Sequence, residues 1–299
     1  MIYAEELLKK YREKQFPSKA SVLTFKDVGE KDVYNITAPF VLEGQIMLAG
    51  RVESRDDEHS EIVLFTESEE NIWVPIKDSI RLPLQDPFFT KIDGYIILGG
   101  VEVNFFPSGH AKWRTVFYRL VSVQNAVQIF AGPWGMKDLR LKQLNNGKIL
   151  VLTRPQGTKG GRGKIGTFVI DNLTDLSVER IESAPLLENQ FTEIQWGGAN
   201  EIHQIEDTIW VLGHIANFDA DNNRHYYAMS FELDLENLAM KNAKIIAERK
   251  DFAAGPAKRA DLGDVVFSGG IVLKDQKAEI YAGISDAGAQ KLEIENPFR

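Results

Sequence analysis

The stretch 89-FTKIDGYIILGGV-101 is an apolar run, a tight polar turn at Asp93 and Gly94, and a second apolar run ending on glycines. It reads as a β-hairpin whose second strand stops on a small residue. The pattern returns four more times, in "FVLEGQIMLAGRV" from Phe40, "LKQLNNGKILVLTRP" from Leu141, "IHQIEDTIWVLGHI" from Ile202 and "IVLKDQKAEIYAGIS" from Ile271. Aligned on Gly44, Gly94, Gly147, Asp207 and Lys277, the residue six places on is Gly50, Gly100, Thr153, Gly213 and Gly283.

A further β-rich stretch follows each hairpin, and the turns are spaced 50, 53, 60 and 70 residues apart. That fits four-stranded units, which bury their faces only against one another. The fold class is all-β, and five such units predict a five-bladed β-propeller. A solenoid is the alternative, but its repeats are shorter and more regular. The last copy runs out at "KLEIENPF", and the early strand "ASVLTF" is available to complete it. The start of the chain, "MIYAEELLKKYREK", pairs Glu5 with Lys9 and Glu6 with Lys10 and puts Leu7, Leu8 and Tyr11 on one face, so a short amphipathic helix is expected. The expected division is residues 1–20 as an N-terminal helical segment and 21–299 as a single propeller domain.

Composition narrows the function. The net charge is −8, which argues against a nucleic-acid partner. No segment approaches the roughly 20 apolar residues of a membrane span, and the N-terminus does not read as a signal peptide. There is no cysteine, which excludes disulfides, thiolate metal sites and cysteine nucleophiles. A soluble cytoplasmic protein is expected; the oligomeric state is not legible.

In a propeller, residues that start or end the inner strands face a shared funnel. The segments before the first hairpin strands are polar and supply Asn35, Asp86, Lys137, Asp138, Arg140, Asn200, Glu201, Asp264 and Ser268. One place past the small residues lie Arg51, Val101, Arg154, His214 and Ile284. An acidic protein that gathers Arg51, Arg154, His214 and Lys137 around one axis is suited to an anion, most simply phosphate; the plainer reading is that each caps its own strand. Trp134, Trp196 and the "FFPSGHAKW" loop (Phe105, Phe106, Trp113) lie in the same connections and suit a sugar, or else pack between blades. Asp86 in "LQDPFF", taken alone, is a turn residue ahead of Pro87; its place at the funnel mouth makes it a candidate acid.

Other signals are discounted. "TKGGRGKIG" (158–166) lacks the Gly-Lys-Ser/Thr ending of a phosphate loop and runs into a strand, so it reads as a hairpin tip, with a lid as the alternative. "DADNNR" from Asp219 lacks the glycine and bidentate glutamate of a calcium loop. No zinc motif and no Gly-x-Ser-x-Gly elbow occur, so no metal is expected.

Three stretches carry a resemblance. "LQDPFFTKIDGYIILGG" resembles the Asp-Pro-Arg-plus-strand signature of the five-bladed glycosidase propellers. "KDLRLKQLNNGKILVLTRP" is similar to the Lys-Asp…Arg-Pro block of the β-mannoside phosphorylases of glycoside hydrolase family 130. "GDVVFSGGIVLKDQKAEIYAGISDA" resembles that family's closing block, Val-Val-Phe-x-x-Gly leading to Tyr-x-Gly-x-x-Asp. The similarity spans about Asn35 to Asp286, and its details resemble the β-1,2-mannosyltransferase/phosphorylases of glycosyltransferase family 108 more closely.

The resemblance implies an inverting phosphorylase or transferase that moves β-linked mannose between an oligosaccharide and phosphate, with mannose 1-phosphate as product or donor. Phosphate is then a co-substrate and no cofactor is needed. Asp86 matches the catalytic acid. Arg51, Lys137, Arg154 and His214 match the basic set around phosphate, and Asn35, Asp138, Asn200 and Asp264 fall where sugar contacts are expected. Phe88 stands where the common motif has arginine, with Arg114 or Arg140 as candidates to supply its role. Inversion by water needs a base as well as an acid, whereas phosphate is already an anionic nucleophile. A hydrolase using Asp138, Glu201 or Asp264 as base is one alternative, and a non-catalytic sugar-binding propeller is another. As an acid Asp86 must be protonated, and desolvation is expected to raise its pKa.

Overall fold

The computed structural model describes residues 1–14 and 18–299. Short apolar runs separated by turn residues give strands, and the described residues form a series of antiparallel meanders. The first runs through Phe40–Leu42, Gln45–Glu53, Ser60–Glu69 and Ile72–Pro75. The second is Gln85–Ile92, Tyr95–Phe105, Ala111–Leu120 and Ala126–Ala131. The third has three strands, Arg140–Gln143, Ile149–Thr153 and Gly166–Ile170. After it the chain forms the short helix Val178–Ser183, and the expected fourth strand is reduced to the isolated antiparallel bridge Gly166↔Leu186. The fourth meander is Trp196–Ile205, Thr208–Phe218, Arg224–Asp234 and Ala239–Ala247. The fifth is Asp264–Lys274, Lys277–Ile284 and Gly288–Glu295.

The early strand Lys19–Phe25 completes the fifth meander, pairing antiparallel from Lys19↔Glu293 to Leu23↔Ala289. Two-residue parallel pairings, His225↔Asp264 with Tyr226↔Val265 and Thr24↔Ile72 with Phe25↔Trp73, tie the fourth, fifth and first meanders into one 14-stranded sheet. The second and third meanders are separate sheets of four and three strands.

Each apolar face is buried against the next meander. Met47 and Leu64 of the first meet Leu98 and Val116 of the second, and Phe88 and Phe117 of the second meet Leu141 and Val151 of the third. Leu150 and Leu152 then meet Val211 and Phe231, Leu212 and Ala228 meet Val266 and Ile280, and Tyr281 and Ala289 return to Leu48 and Phe65. The helix Ala4–Lys14 lays Leu7 on the third of these clusters. It is fastened by Tyr11 donating to Asp251 (2.7 Å) and Arg12 to Glu248 (2.5 Å).

The expectation that the second strands stop on a small residue is corrected, since they run past Gly50, Gly100 and Gly213 to Glu53, Phe105 and Phe218; the small residues have a steric cause instead. A Cβ on Gly50 would lie 2.8 Å from Val33, one on Gly213 2.5 Å from the Gly198 carbonyl, and one on Gly283 1.9 Å from Oδ1 of Asn35. Each leaves room for backbone or side chain that passes beside the strand. One register is corrected: the last turn is Asp275–Gln276, with Lys274 paired to Lys277, so Lys277 begins the second strand.

Candidate active site

Because adjacent strands are antiparallel, the start of each first strand lies at the same end as the turn between the second and third strands. At that end three first strands carry a bulge. The ladder slips between Gln85 and Phe88, between Ala199 and Glu201, and between Ser268 and Gly270. The extra residues are Asp86 with Pro87, Asn200 and Gly269. A bulge re-aims a side chain, and Asp86 is turned further by its left-handed backbone (φ 49). Asn35 (φ 45), Asp138 (φ 61) and Asp286 (φ 52) share that rare conformation. Twelve other non-glycine residues share it, mostly Asp and Asn in turns, but these four gather around one opening.

The opening is a cavity of about 230 Å³ whose lining includes Asn35, Arg51, Asp86, Lys137, Asp138, Arg154, His214, Tyr226 and Asp286. Asp86 is buried, and its Oδ1 accepts from Nδ2 of Asn35 (2.7 Å) and from Nη1 of Arg51 (3.0 Å). Its Oδ2 receives no hydrogen bond from the described residues and is the oxygen left for a ligand. Arg51 is fully engaged: Nη2 donates to Glu53 (2.6 Å), Nε to Ser60 (2.9 Å), and the guanidinium lies 4.9 Å over the Tyr34 ring. Glu53 is held in turn by Tyr34, Ser60 and Lys258.

Arg154 sits in a slot between two glycines. A Cβ on Gly163 would lie 2.6 Å from its Nη2, and one on Gly198 2.9 Å from its Cδ. Its Nε donates to the Gly197 carbonyl (2.7 Å), while Nη1 is buried without a hydrogen bond, 3.4 Å from Oδ2 of Asp138. Lys137 lines the same cavity and has no carboxylate within ion-pair distance among the described residues. Two cationic groups therefore face the cavity with donors to spare.

Protonation follows from these contacts. Burial pushes the Asp86 carboxyl up, but Arg51, Lys137 and the Asn35 amide outweigh it and the net shift is downward. The expectation of a raised pKa is thus corrected: in the free protein Asp86 is a carboxylate. Burial likewise opposes ionisation of Asp138, yet Arg154, Lys137 and Arg140 bring it down to about 2. His214 is brought to about 3, first by burial and then by Arg154 and Lys137, despite Asp138. It is neutral, with Nδ1 2.8 Å from Oδ1 of Asn200, so it belongs to the hydrogen-bonding groups and not to the cations. Asp286 moves the other way, raised by burial and by Asp86 against Arg51 and Lys137.

Several expected residues lie elsewhere. Arg114 is bonded to Glu102 (2.5 Å) beneath Trp134, outside the cavity. Asp264 is paired with His225 (2.5 Å). Asn200 stands behind His214. Glu201 accepts from the Ile271 amide (2.8 Å) and Ser268 donates to the Gly213 carbonyl (3.0 Å), both structural roles. Phe88 does not enter the cavity: its ring underlies the Arg140 guanidinium at 3.7 Å, and Arg140 is bonded to the Asn200 and Leu139 carbonyls. Trp196 is buried, its indole donating to Tyr226 (2.8 Å). The segment 158–166 begins within the one-turn helix Gly157–Gly160 and then backs Arg154. Several cavity residues were not singled out from sequence, among them Glu58, Gln85, Tyr226, Arg259 and Asp286; the only signal for Asp286 was its place at the end of "YAGISD".

The family model described as "Protein of unknown function (DUF1861)" matches residues 9–299. No curated protein matches the chain. Among solved structures, the chain is similar to a mannose phosphorylase from Leishmania mexicana in complex with phosphate ion, at 29% identity and a TM-score of 0.91, covering 98% of this chain and 93% of that one. It is equally similar to a GDP-Man-dependent mannosyltransferase from the same organism, at 29% identity and a TM-score of 0.90, covering 99% and 95%. A β-1,2-mannobiose phosphorylase from Listeria innocua shares the fold, at 16% identity and a TM-score of 0.65 over 92% and 90% of the two chains.

Proposed function

We propose, from the premise that this chain belongs to the DUF1861 family, that it is an inverting β-mannoside phosphorylase/transferase. It passes β-linked mannose, in β-1,2 linkage, between an oligosaccharide and inorganic phosphate, with mannose 1-phosphate as product or donor. The meanders are the blades of a five-bladed propeller and the cavity lies at its axis.

The observation that carries this reading is Asp86, a buried carboxylate with one oxygen fixed and the other without a hydrogen bond, in the same cavity as Lys137, which has no ion-pair partner among the described residues, and Arg154, whose Nη1 makes no hydrogen bond. In phosphorolysis a phosphate oxygen held by Lys137 and Arg154 attacks the anomeric carbon. The glycosidic C–O bond breaks on the opposite face, and the proton on Asp86 passes to the leaving oxygen. In synthesis Asp86 takes the proton of the acceptor hydroxyl as mannose leaves phosphate. The free-protein state of Asp86, a carboxylate, suits synthesis directly. A phosphate dianion beside Lys137 offsets the charge that keeps the proton off Asp86, so phosphorolysis draws its proton as phosphate binds.

Of the bases expected for a hydrolase, Glu201 and Asp264 lie outside the cavity and Asp138, brought to about 2 beside Arg154, is a weak proton acceptor; Asp286, in the cavity with its pKa raised, is the carboxyl left to serve water. The two Leishmania relatives, one solved with phosphate and one GDP-Man-dependent, set the test. The protein is given mannose and manno-oligosaccharides with either mannose 1-phosphate or GDP-mannose as donor. Release of phosphate with chain extension from mannose 1-phosphate is expected. Consumption of GDP-mannose alone would make it a nucleotide-dependent transferase, and no transfer from either donor would favour a sugar-binding propeller.

A further inference from the structure

We propose that Lys258 is a positioning residue for Asp86, acting through Glu53 and Arg51 as one buried row of alternating charge. Its part in catalysis rests on the reading of Asp86 as the acid and base of the proposed reaction.

Lys258 stands in 253-AAGPAKRADLG-263, the connection from the fourth meander to the fifth, which its glycine and proline mark as a loop. A lysine in such a connection ordinarily keeps its ammonium in water. This one is drawn in: its side chain is 6% exposed and reaches Glu53 of the first meander, 205 residues earlier. The backbone is pinned to the turn that carries Asp286. The Lys258 amide donates to the Ser285 carbonyl (3.0 Å), and Oγ of Ser285 donates to the Gly263 carbonyl (3.2 Å).

The ammonium also donates to the Asp57 carbonyl (2.7 Å) and lies 3.2 Å from Glu58, a half-exposed carboxylate that touches Arg51 as well. Those two groups suffice to fasten the loop. The contact with Glu53 does more, because the other oxygen of Glu53 holds Arg51 (2.6 Å), and Arg51 donates to Asp86 (3.0 Å). Burial opposes the charge of Glu53, but Arg51 and Lys258 keep it ionised. The remaining partners in the row are neutral: Tyr34 and Ser60 on Glu53, and Asn35 on Asp86. Outside the row, Lys137, Arg140 and Asp286 are the charged groups that act on Asp86.

From Lys258 to Asp86 the row runs cation, anion, cation, anion. Lys258 cancels the charge of Glu53, so Arg51 acts on Asp86 undiminished. Removing the ammonium alone leaves Glu53 uncompensated behind Arg51, which weakens the positive field at Asp86 and favours its protonated form. Removing the Glu53 charge alone does the reverse, and removing both restores the balance. A lysine that only fastened the loop would give no such opposition of sign.

The test follows the aspartate carboxyls by carbon NMR in isotopically labelled protein, with the Asp86 signal identified by its loss in Asp86→Asn. Titrations compare wild type, Lys258→Met, Glu53→Gln and the double variant. Lys258→Met is expected to move the Asp86 titration to higher pH and Glu53→Gln to lower pH, while the double variant returns close to wild type. Should Lys258→Met alone not fold, the step from Glu53→Gln to the double variant carries the same upward shift. In synthesis from mannose 1-phosphate, Lys258→Met is expected to lower kcat about tenfold with KM changed less than about threefold. Shifts of one sign in both single variants, no shift in either, or a Lys258→Met kcat equal to wild type would each overturn the proposal. If the opposed shifts are found while wild type transfers no mannose, the charge row stands and the catalytic reading fails.

Discussion

Nη1 of Arg51 lies 3.0 Å from Oδ1 of Asp86, with both side chains buried, while Glu53 holds the far edge of the same guanidinium at 2.6 Å. The expected phosphate arm is therefore a positioning residue. It fixes one oxygen of Asp86 and leaves the other for chemistry, and its charge keeps that carboxyl ionised in the free protein. In the proposed function, anion binding then falls to Lys137 and Arg154.

Asn35 shares the task of fixing Oδ1. Its amide favours the ionised form, so Asn35→Ala raises the Asp86 pKa. The acidic limb of the synthesis rate is expected to move to higher pH, and kcat to fall more than KM for mannose 1-phosphate changes. A uniform loss of rate with an unmoved pH profile would show a merely structural role.

Lys137→Ala and Arg154→Ala each remove a charged donor facing the cavity. Charge-assisted hydrogen bonds contribute roughly 1.5–3 kcal/mol, so the KM for phosphate is expected to rise about 10- to 100-fold in initial-rate measurements. An unchanged KM for phosphate in both variants would place the anion elsewhere.

Much of this was legible before any coordinates. The hairpins announce themselves through apolar runs on either side of polar turns, and the strand that completes the last meander was visible in "ASVLTF". Asp86 was singled out because the repeat put it at a strand start. The bulge that turns it inward was not visible, since a register slip depends on the partner strand. Arg114 and Asp264 were misplaced for a similar reason: residue type and chain position do not say which side of a strand end faces the cavity, and a nearby Glu102 or His225 captured each side chain. Asp286 was read only as the last residue of a motif, because it sits in a tight turn between strands, where an aspartate is ordinarily a turn former. Phe88, a departure in the motif, became intelligible only with Arg140 stacked on it.

Gly99 lies against that same ring: a Cβ there would sit 2.1 Å from Cζ of Phe88. Gly99→Ala is expected to lower stability by about 1–3 kcal/mol through overpacking, read as a fall in the urea midpoint at unchanged slope. A midpoint equal to wild type would mean that Phe88 and Arg140 move freely.

The depressed carboxyl of Asp138 also has a consequence for acid stability. Its folded pKa, about 2 against an ordinary 3.8, lies below the unfolded value, so its contribution is present above about pH 4 and is lost as pH falls toward 2. The size is about 2 kcal/mol. Urea unfolding of wild type and Asp138→Asn is expected to differ most above pH 4, with the gap narrowing through this window. A constant gap would contradict the pairing with Arg154.

The most direct measurement follows β-1,2-mannobiose by proton and phosphorus NMR, with and without phosphate. Wild type is expected to yield mannose and α-mannose 1-phosphate in equal amounts only when phosphate is present, and Asp86→Asn to slow this by about 10²- to 10⁴-fold. Free mannose released at the same rate without phosphate, or an Asp86→Asn rate close to wild type, would contradict the account.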